Sequence, residues 1–127
     1  MNADSIDFYA LTELIIGRAL VVSNTLRTGF AEKNYENALA HELRKAGLEI
    51  SQQHNITVHY DGITIGTYAA DLLVENAVLI ELKAVRALDP AHKAQCLNYL
   101  KATGFSLCLL INFGSPRLEI KRVVNNL

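Results

Sequence analysis

Asp71, Glu81 and Lys83 lie within the most aliphatic part of the chain, which reads Asp71-Leu72-Leu73-Val74 and then Val78-Leu79-Ile80-Glu81-Leu82-Lys83. Charges among so many aliphatic side chains are costly unless something compensates them. A divalent cation would do so, and the same cation could drive hydrolysis. A plain ion pair between Lys83 and either acid would also do so. Both readings turn on whether the three side chains meet. Directly opposed residues of an antiparallel hairpin share a face. A loop of Glu75-Asn76-Ala77 pairs Val74 with Val78, sets Asp71 opposite Glu81 and leaves Lys83 on that face. A loop of Glu75-Asn76 alone would send the carboxylates to opposite faces. Catalysis therefore predicts the longer loop, with Asn76 suited to a left-handed position.

Two carboxylates a few ångströms apart repel, so one pKa rises unless a cation bridges them. Magnesium takes one or two carboxylates and completes its shell with water and phosphate oxygens. Lys83 is then suited to orient the attacking water, or to stabilise the charge that develops as a phosphodiester is cleaved.

A second group of residues is set by helical spacing. His92, Gln95 and Tyr99 fall at i, i+3 and i+7, on one helix face. Gln95 and Tyr99 offer an amide and a phenol, which can hold phosphate oxygens or satisfy backbone groups under the sheet. His92 shares that face, and its role stays open. Glu32 and Tyr35 share one side of an earlier helix in its first turn. There Glu32 is either an acid favoured by the helix dipole or a further carboxylate at a metal. His41, His54 and His59 have no zinc-site spacing and read as scattered surface histidines.

Residues 9 to 27 and Ala31 to Ala46 read as amphipathic helices. Leu11, Leu14, Ile15, Leu20, Val21 and Val22 supply the apolar positions of the first, and Tyr35, Leu39 and Leu43 the stripe of the second. Gly47 stops the second helix. Asp61-Gly62 joins strands Ile56 to Tyr60 and Ile63 to Thr67 as a tight hairpin. Strands Tyr68 to Val74 and Val78 to Val85 are apolar on both faces and so central. Asp89-Pro90 caps and starts a helix that ends near Thr103-Gly104. Leu107 to Asn112 and Leu118 to Val124 are the last strands. The expected order is α-α-β-β-β-β-α-β-β, a mixed α/β (α+β) sheet flanked by helices.

Half of the 127 residues are hydrophobic and 20% are charged, the composition of a folded globular chain. The longest apolar runs are strand-sized, which excludes a transmembrane helix. Met1-Asn2-Ala3-Asp4 lacks the basic and apolar regions of a signal peptide. Cys96 and Cys108 have no metal spacing and are expected as buried free thiols, which fits a cytoplasmic protein. The net charge of −1 leaves no basic surplus for phosphate. Any nucleic acid would be held locally, weakly or with a partner's help; a homodimer is compatible with the sequence.

Taken in order, Gly29-x-x-Glu32-x-x-Tyr35, Asp71, Glu81-Leu82-Lys83 and Gln95-x-x-x-Tyr99 resemble the GxxExxY protein family. Asn37-Ala38-Leu39, Gln53, Tyr60-x-Gly62 and Leu109-Leu110-Ile111-Asn112-Phe113 agree with it, and the resemblance runs from about Leu11 to Val124. That family is in turn similar to the PD-(D/E)XK nuclease superfamily, in particular its RecB-like members with a Gln-x-x-x-Tyr helix. The resemblance implies one restriction-endonuclease-like domain over 1–127. It implies Asp71, Glu81 and the Leu82 carbonyl as ligands of Mg²⁺ or Mn²⁺, with Glu32 as an additional acid. Lys83 would be the catalytic lysine, and Gln95 with Tyr99 the helix contribution. Ala70 stands where the superfamily's name has proline, a residue that is not a ligand. The implied activity is phosphodiester hydrolysis in DNA or RNA. The competing reading is a non-catalytic module of the same fold that binds nucleic acid or a protein partner.

Overall fold

Asp7 begins the first helix, its carboxylate accepting from the Ala10 N–H at 3.0 Å ahead of α1 (Phe8–Leu26). The structure, a computed structural model, describes residues 7–125. The signal-peptide reading of Met1 to Asp4 concerns residues outside that range. Leu11, Ile15, Ala19 and Val22 form the buried stripe of α1, at the i, i+4, i+8, i+11 spacing of one helix face. Leu20 and Val21, expected to join it, fall past its edge and are exposed. In α2 (Glu32–Lys45), Tyr35, Leu39 and Leu43 are buried as their spacing predicts.

Tyr35 also fixes how α2 follows α1. Its hydroxyl donates to the Arg27 carbonyl and accepts from the Phe30 N–H at 3.2 Å, while its ring stacks on Phe113 at 4.8 Å. Gly29, at φ 115°, makes the turn that brings these groups together. Two of the three residues of the Gly-x-x-Glu-x-x-Tyr pattern, Gly29 and Tyr35, are thus architectural.

The sheet has the order β1-β2-β3-β4-β5. Strands β1 (Ile50–Tyr60) and β2 (Ile63–Val74) are joined by Asp61 and Gly62 at φ 51° and 78°, the left-handed pair that a tight hairpin favours. Two expected strands, Ile63 to Thr67 and Tyr68 to Val74, are one continuous strand here, and β1 reaches back to Ile50. Ile50-Ser51-Gln52-Gln53-His54-Asn55 has little intrinsic strand preference, so its order comes from pairing with β2.

Strand β3 (Val78–Lys83) is antiparallel to β2 and parallel to β4 (Leu107–Asn112); β5 (Glu119–Val124) closes the sheet antiparallel to β4. A parallel neighbour requires a crossover, and α3 (Pro90–Thr103) supplies it. The register has Val74 opposite Val78, as the longer loop predicts, with Glu75 and Asn76 both left-handed at φ 53° and 49°. Strand β3 ends at Lys83 rather than Val85. The Val85 N–H and C=O bond to the Asn112 side chain at 3.0 and 2.9 Å instead of continuing a ladder.

Helices α1 and α2 cover one face of the sheet through Leu72, Val74, Ile80, Leu82 and Leu109. Helix α3 covers the other through Leu73, Leu79, Cys108 and Leu110, with Cys96 and Cys108 buried and free. The hairpin changes face midway. Ile50 and Leu72 belong to the α1–α2 side, whereas Ile56 and Ala70 belong to the α3 side, although even positions of a strand should share a face. Gln53 accounts for the inversion. It stands left-handed at φ 53°, and it and the facing Asp71 drop out of the ladder between Gln52↔Leu72 and His54↔Ala70. Below this point Gln52 reaches α2; above it the His54 ring packs near Phe105.

Candidate active site

The hairpin turns over at Asp71, and this frees backbone groups that the acids then take. The β2–β3 ladder stops at Leu72↔Ile80. One step on, the Asp71 N–H donates to Glu81 Oε1 at 3.0 Å and the Leu82 N–H donates to Asp71 Oδ2 at 2.8 Å. Each carboxylate thereby replaces a carbonyl that the diverging strands no longer provide. Asp71 and Glu81 are thus brought together where the strands diverge, one step beyond the last paired residues Leu72 and Ile80.

The pair is poorly compensated by the protein. Glu81 is 4% exposed. Burial, then the neighbouring Asp71 charge, pushes its pKa up to about 8, against the downward pull of the Asp71 N–H and Lys83. Asp71 is also raised, chiefly by burial, with the Leu82 N–H and the Gln53 amide opposing. Lys83 makes no ion pair within 4.0 Å among the described residues. Its ammonium donates instead to Gln95 Oε1 at 3.2 Å, and Gln95 Nε2 donates to the Tyr99 hydroxyl at 3.0 Å. The direct Lys83 ion pair, the bland alternative from the sequence, is not made. Tyr99 is raised to about 12 by burial and by the Glu81 and Asp71 charges, so its phenol keeps its proton.

Glu32 enters from the first turn of α2. It is raised by burial first, then feels the charges of Lys83, Asp71, His92 and Glu36. It therefore borders the same cluster as Gln95, from a different helix. His92 lies near Glu32, but its Nδ1 accepts from the Asp89 N–H at 3.1 Å, which closes the cap of α3.

Three residues have supporting roles that the sequence reading did not assign, although Gln53 and Asn112 stand within the family resemblance. Glu36, buried one turn beyond Glu32, accepts from Lys33 at 2.8 Å, Gln52 at 2.7 Å and Gln53 at 2.6 Å. Its i, i+4 relation to Glu32 was the available signal. Gln53 Nε2 also donates to Asp71 Oδ1 at 3.2 Å and so ties the site to α2; nothing in a polar strand marks that role. Asn112 is fully buried at the end of β4 and donates to Glu119 at 2.7 Å besides fastening Val85. A lone amide ending an apolar run was its signal.

No group of three or more His, Cys, Asp or Glu among the described residues forms a ready metal cage. The residues nevertheless fit a hard divalent cation. Two oxygen donors in a buried, acid-rich spot suit magnesium, which needs only one or two carboxylates. Their site at the carboxyl end of β3, beside a parallel neighbour, is where ligands collect in such sheets.

Comparison with known proteins identifies the superfamily. The family model of the PD-(D/E)XK nuclease superfamily matches residues 9–123, and the chain belongs to that superfamily. Among solved structures, an alkaline exonuclease from Laribacter hongkongensis (LHK-Exo) is similar at TM-score 0.49 and 14% identity, over 91% of this chain and 82% of that one. A protein designated SSO0001 is similar at TM-score 0.47 and 14% identity, over 91% and 78%. No curated protein sequence matched. No helix among the described residues is long and apolar enough to cross a membrane.

Proposed function

We propose that this chain is a nuclease that hydrolyses phosphodiester bonds in DNA or RNA with Mg²⁺ or Mn²⁺. The observation that carries the reading is the buried Asp71–Glu81 pair, which no lysine meets within 4.0 Å among the described residues, with Lys83 held beside it by Gln95. Asp71, Glu81 and the Leu82 carbonyl would hold the cation, with Glu32 as an additional acid. When bound, the cation would supply charge for the phosphoryl oxygens and an acidified water.

The chain's own residues do the rest. Gln95 fixes the Lys83 ammonium where it can orient water or meet the charge that builds on phosphorus. Tyr99, which keeps its proton, holds Gln95 and can donate to a phosphate oxygen. Gln53 restrains the Asp71 carboxylate. The exposed hairpin tip, with Tyr60, Ile63 and Ile65, offers an apolar surface through which two copies can associate, and sedimentation velocity reads that state.

Calorimetric titration with Mn²⁺, paired with oligonucleotide cleavage, tests the assignment. Cleavage requires the cation and stops with chelator. Asp71→Asn loses metal affinity by about tenfold or more, because it removes a charged ligand. Lys83→Ala keeps metal binding and loses turnover by roughly 10²-fold or more, the pattern of a group acting in the transition state. Metal binding equal in wild type and Asp71→Asn would remove the assignment. Metal binding without cleavage of any DNA or RNA would favour the non-catalytic module.

A further inference from the structure

Beside the acidic cluster runs an open channel of about 670 Å³, with α3 as one wall and the outer half of the β1–β2 hairpin as the other. We propose that this channel receives unpaired bases, so that the substrate is single-stranded nucleic acid or a single-stranded end. The inference rests on the nuclease reading, because the channel begins at that site: Gln95 and Tyr99 line it, and Gln95 is the residue that holds Lys83.

The two walls are chemically unlike. The α3 wall carries Ala91, Ala94 and Ala102 with the Asn98 amide, alongside Gln95, Tyr99 and Lys101. The hairpin wall presents Val58, His59 and Tyr68. Tyr68 is 52% exposed, and its ring lies 6.0 Å from that of Tyr99, which is 6% exposed, at a tilt of 45°. One tyrosine is thus committed to the fold, and the other leaves aromatic surface open in the channel beside it. The alanines of α3 leave room across the channel from such a ring for a flat group. Its volume is that of sites enclosing small organic ligands.

Base pairing decides which form of nucleic acid fits. A paired and stacked base shows a protein only its edges in the grooves. A base lying against Tyr68 must show its face, and only an unpaired base does so. Charge points the same way. The chain carries a net charge of −1, and Lys101 is the one lysine or arginine lining the channel among the described residues. Duplex binding draws mostly on phosphate neutralisation, which this surface is poorly equipped to give. Stacking on aromatic side chains supplies affinity without that surplus. The face inversion at Gln53 completes the channel, because it directs Tyr68 and Val58 toward α3 rather than α2.

The test measures fluorescence anisotropy of a labelled single-stranded oligonucleotide and of the same sequence as a blunt duplex, without divalent cation. Wild type is compared with Tyr68→Ala, Tyr68→Phe and Ala94→Phe, and each protein is titrated separately with Mn²⁺ by calorimetry. The expected result is single-strand binding about tenfold tighter than duplex binding. Tyr68→Ala and the slot-filling Ala94→Phe lose about tenfold of it. Tyr68→Phe retains it, and the Mn²⁺ isotherms do not change. Equal binding of the duplex, or single-strand affinity unmoved in both Tyr68→Ala and Ala94→Phe, overturns the channel's assignment and leaves the nuclease reading to the Mn²⁺ data. A concentration-dependent dimer lost in Ala94→Phe, without oligonucleotide binding, assigns the channel to a second copy and also overturns it. Absent Mn²⁺ binding in wild type removes the nuclease reading, while the anisotropy series still decides the channel.

Discussion

Glu81 holds a proton in the folded chain at pH values where an unfolded chain would have released it. Its ordinary value is 4.5, and burial beside Asp71 raises it to about 8. Between those values the folded state binds more protons than the unfolded one, so metal-free stability falls as pH rises through that window and levels off above it. Asp71 and Glu32, also raised, add to the same trend. Thermal melting from about pH 5 to about pH 9 should show this decline in wild type and a flatter profile in Glu81→Gln. A cation entering the site displaces that proton. Mn²⁺ binding near neutrality is therefore expected to release about one proton, and none well above pH 8. Calorimetry in buffers of different ionisation enthalpy reads the release directly. A profile that rises with pH would contradict the buried, cation-free pair.

At the scale of elements, the site depends on where β3 stops. After Lys83 the chain passes under Gly114, where an added Cβ would lie 2.3 Å from the Val85 N and O atoms. That distance is too close for any side chain, and the obstacle is backbone on both counts. Gly114→Ala must therefore displace Ala84 and Val85, or the segment beyond Phe113, at a cost of roughly 1–3 kcal/mol in chemical denaturation. The displacement begins next to Lys83, so turnover should fall further than metal affinity. Asn112→Ala acts on the same junction. It leaves the Val85 N–H and C=O and the Gly114 N–H without the partner that had satisfied them, and removes one donor from the Glu119 carboxylate, which keeps Ser115. Native melting of Gly114→Ala would show that the junction is looser than this packing implies.

At the scale of the whole molecule, the two faces of the sheet are put to different uses. One is filled by α1 and α2, while the other is shared between α3, the acids and the channel. With a net charge of −1 and one lysine in the channel, few phosphates can be neutralised. Single-strand affinity is therefore expected to fall only about fivefold to tenfold over a fourfold increase in salt, the slope of about two phosphate contacts. Anisotropy titrations at several salt concentrations measure it. A loss of a thousandfold over that range would mean an extended basic surface and would point to duplex binding.

The paired ladder of β2 and β3 ends at Leu72 and Ile80, and Asp71 and Glu81 meet beyond it through the Asp71 and Leu82 N–H groups. The register with Val74 opposite Val78 was nevertheless legible in the sequence, from the loop of Glu75 to Ala77. So were both helices before the sheet, the Asp89-Pro90 start of α3 and the Gln95–Tyr99 pair, since caps and helical spacing are local properties. Tertiary structure decided what depends on partners distant in sequence. The strand from Ile50 to Asn55 exists because β2 is there to bond it, and Ile63 to Val74 is one strand because pairing with β1 resumes on both sides of the break at Gln53 and Asp71. The left-handed Gln53 could not be read from its neighbours, for glutamine has no preference for that conformation and adopts it only where Glu36 and Asp71 receive its amide. Lys83 shows the same division. Sequence put it on the acids' face, but only the folded chain gave its ammonium to Gln95 rather than to a carboxylate.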